Sequence, residues 1–338
     1  MKKVIYSLLV LSFCAMLFQC KKDVRLLDKK DDLVVNNDSI LANTNTLGSI
    51  DNFFKSNSSP KQNFTLNNGS FSTSIIETSN NSKLYFPYHT FYDSLNNNYP
   101  TSVIITVKEA FSYKDFMTNN LETVTTTGDL LNSAGMIFYD AKTSSGGKLA
   151  QVKPISISYT IKNNSEIINN TKVFTLNAST NSWELNTAST STITSDTMAI
   201  YSSYAMTNVS GLGNWINCDA FVNCPNLFPG KDFEFKTIGN FTSKNTVVFA
   251  LFYGMPCSAI NFTKTLIRCH GDLNQIHQFF LKYNVPSNAN IKAVAFSKIS
   301  DKWYYEEKPC TLIQNSGVTF SNMQEKDSLQ IINLLQNL

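Results

Sequence analysis

The chain has 338 residues, enough for two domains of ordinary size, and its 28 basic and 25 acidic side chains leave a formal net charge of only +3. A nucleic-acid-binding protein normally carries a strongly basic surface, so this balance argues against nucleic acid as a partner. Asparagine, serine and threonine are abundant, and that composition suits strands and turns better than long helices.

Residues 1–19 are predicted to be a lipoprotein signal peptide. Two lysines precede a mostly apolar run over residues 4–18, which is shorter than the ~20 residues of a membrane span. Cys20 follows directly, at the position of the acylated cysteine in bacterial lipoproteins. We therefore expect export, acylation of Cys20 by palmitate-like chains and anchorage to the outer membrane, on its periplasmic or its surface face. Gln19 replaces the small residue that is usual there, so cleavage elsewhere is the alternative.

Residues 20–60 are predicted to form a lipidated, flexible tether, because they are polar and show no sustained apolar period. The pattern allows one exception, a short helix within residues 40–54 that would pack on the first domain. Four apolar side chains lie there at helical spacing: Leu47, Ile50, Phe53 and Phe54.

From residue 61 the apolar period changes to two, which indicates strands. Short runs rich in Val, Ile, Phe and Tyr alternate with turn-forming segments such as residues 96–100 and 144–147. Strands at this spacing predict an antiparallel β-sandwich, which we assign to residues 61–210. A short helix at residues 112–121 is expected after the third or fourth strand, crossing one end of the sheets.

The densest chemistry lies in residues 211–230, which we predict to be a rigid connector between two domains. Gly211 and Gly213 permit positive φ angles, Trp215 has a large apolar surface, and Asp219 can hydrogen-bond the nearby backbone. We expect Trp215 to be buried at the domain junction. The segment contains no recognisable general base, metal-ligand set or phosphate loop, so we expect neither a cofactor nor a metal.

Residues 231–338 are predicted to be a second β domain, because short alternating runs resume after the connector. The domain should end in an amphipathic helix, capped at Ser321 or Asn322 with Glu325 completing a capping box. An apolar stripe along that helix comprises Ile331, Leu334, Leu335 and Leu338. The predicted fold class is therefore all-β, with two sandwich-like domains in tandem and two helices.

Cysteines concentrate in the last third of the chain. Five cysteines lie there, and an exported protein meets an oxidising compartment in which disulfides form. These five can form at most two disulfides, which leaves one thiol. Short loops would suit the pairs Cys218 with Cys224 and Cys257 with Cys269, but spacing alone does not decide the connectivity. The five candidates are Cys218, Cys224, Cys257, Cys269 and Cys310.

Two histidine-containing groups resemble sites, and each has a simpler explanation. His89 lies near Asp93 and Ser94, as in a hydrolase, but no nucleophile-elbow glycines flank a serine in the chain. Cys269 with His270 and His277 forms one loose cluster, whereas zinc sites normally combine two close pairs of ligands. We expect a loop histidine in the first group, and a disulfide with surface histidines in the second.

An aromatic cluster beside two acids is a candidate for glycan binding. Trp303, Tyr304 and Tyr305 precede Glu306 and Glu307, and exposed rings there could stack on a sugar whose hydroxyls bind the carboxylates. A strand that alternates core and surface side chains explains the same residues. An exposed Trp303 would favour the glycan.

Several segments together resemble one group of proteins: residues 82–91, 103–109, 115–117, 128–131, 134–139 and 215–219. The chain resembles uncharacterised exported lipoproteins of the Bacteroidota that have a ZU5-like N-terminal β-sandwich, and the Trp-Ile-Asn-Cys-Asp string is the most specific part. The resemblance implies a β-sandwich fold and a cell-envelope location. It implies no activity, since ZU5-type domains are interaction modules.

We therefore expect a non-enzymatic cell-envelope lipoprotein that acts in adhesion, scaffolding or ligand binding, with an unknown protein or glycan as its partner. One alternative is an envelope hydrolase acting on glycan or peptide, whose site would be assembled from residues distant in sequence. A compact cleft with two acids, or with a serine and a histidine, would favour it. The other alternative is a glycan-capture accessory protein.

Overall fold

The structure is a computed structural model that describes residues 46–162, 170–195, 201–254, 264–272 and 274–338. Within these ranges the fold is all-β, as predicted. None of the described helices is long and apolar enough to span a bilayer. The predicted signal peptide, the predicted acylation site Cys20, and Cys257 lie outside the described residues.

The helices of the described residues are α1 (Thr46–Ser56), α2 (Tyr113–Thr118) and α3 (Ser328–Gln336), and a 3-10 turn lies at Gly230–Asp232. The first strands are β1 (Gln62–Asn67), β2 (Ser74–Glu77), β3 (Lys83–Phe86), β4 (Phe91–Tyr92), β5 (Ser102–Ala110), β6 (Leu131–Thr143), β7 (Ala150–Gln151), β8 (Ile155–Lys162), β9 (Lys172–Asn177), β10 (Ser182–Leu185), β11 (Thr190–Ser195), β12 (Tyr201–Val209) and β13 (Trp215–Phe221). The remaining strands are β14 (Leu227–Pro229), β15 (Phe233–Thr237), β16 (Thr246–Gly254), β17 (Thr265–Gly271), β18 (Gln278–Phe280), β19 (Asn284–Pro286), β20 (Asn290–Ile299), β21 (Lys302–Thr311), β22 (Ser316–Phe320) and β23 (Gln324–Lys326).

Two sheets form the N-terminal sandwich. The first has six strands in the order β1-β5-β6-β13-β9-β10, and the second has five in the order β11-β12-β8-β3-β2. Alternate residues of β5, namely Val103, Ile105 and Val107, are fully buried in the core between the sheets. This is the burial expected for a strand with one face on a core, because successive side chains point to opposite faces.

The prediction of a connector over residues 211–230 is wrong for residues 215–221. Trp215–Phe221 is a strand, β13, that pairs with β6 on one side and β9 on the other. The sandwich therefore extends to residue 221 rather than ending at 210. Local composition favoured a turn because asparagine and aspartate are poor strand formers, but pairing with two distant strands outweighs that preference.

A third large sheet has eight strands in the order β22-β15-β18-β17-β16-β20-β21-β23. Both of its faces are buried along β16: Val248, Ala250 and Phe252 enter one core, while Val247 and the other alternate residues enter another. The continuous apolar run of β16 reflects this burial on two faces. The two small pairs β14-β19 and β4-β7 complete the sheets.

The core on the second face joins the eight-stranded sheet to the N-terminal sandwich. It contains Trp183 and Trp215 from the six-stranded sheet together with Phe249, Phe296 and Trp303 from the eight-stranded sheet. Residues 44–338 accordingly form one compact unit. A shared core, rather than a connector loop, holds the two β layers together.

Helix α1 corrects the predicted tether over residues 46–56. Its aromatic side chains pack on the eight-stranded sheet: the rings of Phe54 and Phe296 lie 5.5 Å apart, and those of Phe53 and Trp303 lie 4.5 Å apart. The helix was expected on the first domain. It packs on the later sheet instead, where its apolar side chains Ile50 and Phe54 join the shared core.

The two other helices lie near their predicted positions but differ in detail. Helix α2 follows the fifth strand rather than the third or fourth, because β4 is a strand of only two residues. Helix α3 is capped by Asp327 with Gln330 in a capping box, so the predicted cap at Ser321 or Asn322 is wrong. Residues 324–326 form strand β23, which pairs with β21. The helix therefore begins only at Ser328.

Candidate binding surface

A buried asparagine assembles one end of the sandwich. Asn68 is 2% exposed, and its amide donates to the carbonyls of Phe91 at 2.8 Å and Pro100 at 2.9 Å. Its backbone N–H donates to Thr101 O at 2.9 Å, and its carbonyl accepts from His89 N at 3.1 Å. Because a buried amide must keep its hydrogen bonds, Asn68 holds three loops in one arrangement: residues 68–73, 87–90 and 93–101.

Asp93 makes the longest of these loops rigid. Its carboxylate accepts from Leu95 N at 3.0 Å, Asn96 N at 3.1 Å and Asn96 Nδ2 at 2.7 Å. These bonds, led by the one from the Asn96 side chain, lower the pKa of Asp93. The carboxylate therefore shapes the turn, which is a common role of aspartate in loops. The Asp93 carboxylate binds its own turn rather than His89, and His89 lies in a loop, as predicted.

Five rings stack along the assembled loops, and we name them the aromatic ladder: Phe71, Tyr88, His89, Tyr99 and Tyr92. The first three contacts are face to face, with ring centroids 4.8, 3.6 and 4.2 Å apart along the order given. The last, between Tyr99 and Tyr92, is edge-on at 5.0 Å. Offset stacking and edge contacts are the arrangements that aromatic pairs favour.

His89 occupies the centre of the ladder in an unusual backbone conformation. Its φ angle is +56°, in the left-handed region that few non-glycine residues adopt. Such a conformation costs about 1 kcal/mol or more and persists where the surroundings enforce it, often at functional sites. Here the enforcing contacts are the bond from His89 N to Asn68 and the ring stacking on both faces.

The ladder is open to solvent. Phe71 is 90% exposed and Tyr99 is 42% exposed, and Leu95 on the adjoining loop is 87% exposed. Lys153 borders the ladder, since its Nζ donates to Tyr88 O at 2.6 Å and lies 5.4 Å from the Tyr88 ring centroid. Exposed apolar side chains gathered in one patch commonly mark a binding surface.

Trp303 does not form the candidate glycan site, and the alternative interpretation, a strand with alternating core and surface side chains, is confirmed. Trp303 is only 3% exposed and packs in the shared core. Glu306 is likewise buried, where its carboxylate forms an ion pair with Lys308 Nζ at 3.1 Å and accepts a hydrogen bond from Asn322 N at 2.8 Å. Strand alternation accounts for these residues.

The histidine and cysteine cluster does not form a metal site. His277 Nδ1 lies 2.8 Å from Phe241 O, and Cys269 is buried. Burial, followed by the charges of Lys282 and Arg268, lowers the pKa of His270. Across the part of the chain that the structure describes, no three potential metal ligands are grouped.

Trp215 is buried where the two β layers meet, which confirms that prediction. Its ring lies 5.8 Å from the Phe138 ring centroid, with Lys108 Nζ 5.2 Å away. Gly211 permits close packing, because an added Cβ would lie 2.3 Å from Ile216 Cδ1, and Gly213 has a φ of +77°.

Asp219 lies in the same strand and is fully buried. The Asn217 amide donates to its Oδ2, and Ser133 Oγ in turn donates to Asn217 Oδ1 at 3.1 Å. Burial raises the pKa of Asp219 well above its ordinary value, against the opposing effect of Ser133 and its neighbours. The environment therefore favours the protonated form, and Asp219 belongs to the packing of the sheet.

The cysteines differ from both predicted pairings. Cys218, Cys269 and Cys310 are free thiols, whereas Cys224 is disulfide-bonded to a partner outside the described residues. Cys218 points into the sandwich core, where burial raises its pKa to about 12. Strand β13 carries Cys218 into the sandwich and away from Cys224, which a flexible connector would not have done.

We expect Cys218 and Cys269 to resist alkylation by iodoacetamide in the native protein at pH 8. Both thiols are buried and their pKa values are raised by burial, so the reactive thiolate is scarce and inaccessible. Half-buried Cys310 should react slowly. After denaturation without reductant, peptide mapping should find these three alkylated and Cys224 unmodified. Alkylation of Cys224, or a disulfide between any two of the other three, would contradict the assignment.

Comparison with protein-family models found no match, and neither did comparison with curated proteins. The aromatic ladder is the feature of the described residues that most resembles a binding surface. Sequence reasoning missed this surface because its rings come from three separate loops. The available signal was the presence of aromatic residues among turn formers, as at Phe71 between two serines and Tyr99 before a proline.

Proposed function

We propose that the protein is a non-enzymatic lipoprotein of the cell envelope whose β-sandwich binds a ligand through the aromatic ladder. The observation that carries the proposal is a set of exposed, stacked rings on loops that buried Asn68 and Asp93 hold rigid. Preorganised loops on a rigid sheet lose little conformational entropy when a ligand binds. An exposed aromatic stack of this kind stabilises the fold little.

The position of the ladder supports this role. Ser59 Oγ donates to Asp115 Oδ1 of α2 at 3.2 Å, so the chain enters β1 beside α2 and leaves it at Asn68 in the ladder loops. Antiparallel β5 pairs with all six residues of β1, a length of about 20 Å. The ladder loops therefore lie at the end of β1 opposite α2, away from the point where the chain enters the sandwich.

The proposed family relationship agrees with a binding role. A ZU5-like sandwich is an interaction module, and the N-terminal sheets are antiparallel layers around one core. Acylation of Cys20 would concentrate the protein at the outer membrane, where weak ligand contacts from many copies add up.

The test uses the full-length acylated protein in detergent, immobilised through its C-terminus. Three probe classes are passed over it: neutral oligosaccharides, proline-rich peptides and phosphatidylglycerol vesicles. We expect at least one class to bind wild type and to lose binding to the double variant Phe71→Ser/Tyr88→Ser. The matched control is Leu185→Ser, an exposed apolar side chain on β10.

Absence of ladder-dependent binding in all three classes would overturn the proposed binding function. The membrane anchor has its own readout. Metabolic labelling with palmitate should mark wild type and not Cys20→Ser, and a label that persists in the variant would contradict acylation at that residue.

A further inference from the structure

We propose that the ligand of the aromatic ladder is a neutral carbohydrate, one pyranose ring of which stacks on the free face of Phe71. The inference rests on the proposed binding function of the ladder and names the ligand class.

The free ring face lies at the end of the stack. Phe71 packs on Tyr88 with centroids 4.8 Å apart and 22° between the planes, while 90% of Phe71 remains exposed. One face is therefore covered and the other is open. The face of an aromatic ring carries partial negative charge, which attracts the polarised C–H groups on the flat side of a pyranose. A sugar ring would extend the stack by one member.

Hydrogen-bonding groups flank Phe71 and line the rest of the ladder. Ser70 and Ser72 lie on either side of Phe71 in sequence, and their hydroxyls are 2.9 Å apart. Exposed amides at residues 96–98 lie at the other end of the ladder, beside Tyr92, within reach of further units of an extended oligosaccharide. Hydroxyl and amide groups both donate and accept, so they can serve the many hydroxyls of a sugar without regard to charge.

The charge of the surface favours a neutral ligand. The loops 68–73, 87–90 and 93–101 contain no lysine or arginine, and their one acid, Asp93, is buried in its own turn. Lys153 borders the ladder, but its Nζ already donates to the Tyr88 carbonyl. An anionic polymer or an anionic membrane would require several free cations, which these loops do not supply.

The stacking itself disfavours a peptide. Proline-rich peptides dock into grooves between aromatic side chains, where ring faces are open on both walls. In the ladder the inner faces are covered by neighbouring rings at 3.6 to 4.8 Å, leaving no slot between them. A ligand that needs one flat face and a rim of hydrogen bonds fits better than an extended peptide.

The experiment measures binding of the full-length protein to four probes: neutral gluco-, manno- and galacto-oligosaccharides, and a uronic-acid oligosaccharide of equal length. We expect at least one neutral probe to bind more tightly than the uronic acid. Phe71→Ser should weaken that binding at least tenfold, whereas Phe71→Trp should retain it. Leu185→Ser is the control, and since Phe71 is exposed its variants should keep the wild-type thermal unfolding midpoint.

Saturation-transfer NMR on the bound neutral oligosaccharide provides a geometric readout. The C–H protons on one face of a single pyranose should receive the strongest transfer, and Phe71→Ser should abolish that pattern. Glycan binding that Phe71→Ser leaves unchanged would overturn the inference. Ladder-dependent binding of proline-rich peptides or vesicles, with no binding of neutral oligosaccharides, would overturn the assignment of a carbohydrate ligand. The proposed binding function of the ladder would still stand. No ladder-dependent binding to any probe would overturn both.

Discussion

Replacement of Trp183 by alanine is expected to lower the free energy of unfolding by about 3–5 kcal/mol. Trp183 is fully buried in the shared core, and its Nε1 donates to Glu122 O at 2.6 Å. Its backbone N–H also donates to Val124 O at 3.0 Å, so the residue ties β10 to the segment after α2. Removing the ring would leave a cavity in the core and an unpaired carbonyl beside it.

Urea unfolding followed by circular dichroism measures this loss. Leu185→Ala is the matched control, because Leu185 lies two residues further along β10 and is 46% exposed, so its removal should cost at most about 0.5 kcal/mol. Trp183→Phe should fall between the two, since it keeps most of the apolar surface and loses the N–H. A loss below about 1 kcal/mol for Trp183→Ala would show that the shared core does not hold the two β layers together.

The second large effect concerns pH. Glu122 is partly buried, and its pKa is raised from 4.5 to about 7, chiefly by burial and against the opposing charges of Arg268 and Lys282. In the unfolded chain the carboxyl ionises above about pH 4.5, whereas in the folded protein it keeps its proton to about pH 7. As the pH rises through this window, ionisation of Glu122 stabilises the unfolded state relative to the folded state. The free energy of unfolding therefore decreases.

Glu122→Gln is therefore expected to stabilise the protein at pH 8 by about 3 kcal/mol, at about 1.4 kcal/mol per unit of pKa difference. The gain should vanish below pH 4, where the carboxyl is protonated in both states. The pKa of buried Asp219 is raised as well. The free energy of unfolding of Glu122→Gln should therefore still decrease as the pH rises, though less than that of the wild type.

The measurement is a series of urea unfolding experiments between pH 4 and pH 8. Glu77→Gln controls for the loss of one negative charge, because Glu77 is an exposed carboxylate paired with Lys83 at 3.6 Å. Equal stabilisation of Glu122→Gln at both ends of the range, or destabilisation at pH 8, would contradict the direction of the shift.

Local apolar period was sufficient to predict much of the secondary structure. The alternation in β5 indicated one buried face, and the helical spacing in residues 47–54 indicated α1. These features depend on neighbours within a few positions, which is the range over which helix and strand periods operate. The same reasoning predicted that Trp215 is buried, because so large an apolar side chain seldom stays exposed.

Partners distant in sequence could not be predicted in this way. Asn217 and Asp219 resemble turn residues, yet β13 lies between β6 and β9 because those strands complete its backbone hydrogen bonds. The same pairing placed Cys218 in the core as a free thiol. Trp303 was ambiguous for a related reason, since side chains distant in sequence, including Phe53 of α1, cover it.

The sequence alone therefore determined that this is an all-β protein with a few short helices, and it placed Trp215 in the interior. Only the tertiary structure decided that a shared core joins the two β layers, and that rings from three loops stack into one ladder around Asn68. The physical reason is the separation along the chain of the residues that interact. The alternation of buried and exposed side chains depends on neighbouring residues, whereas loop convergence and strand pairing depend on contacts between residues tens of positions apart.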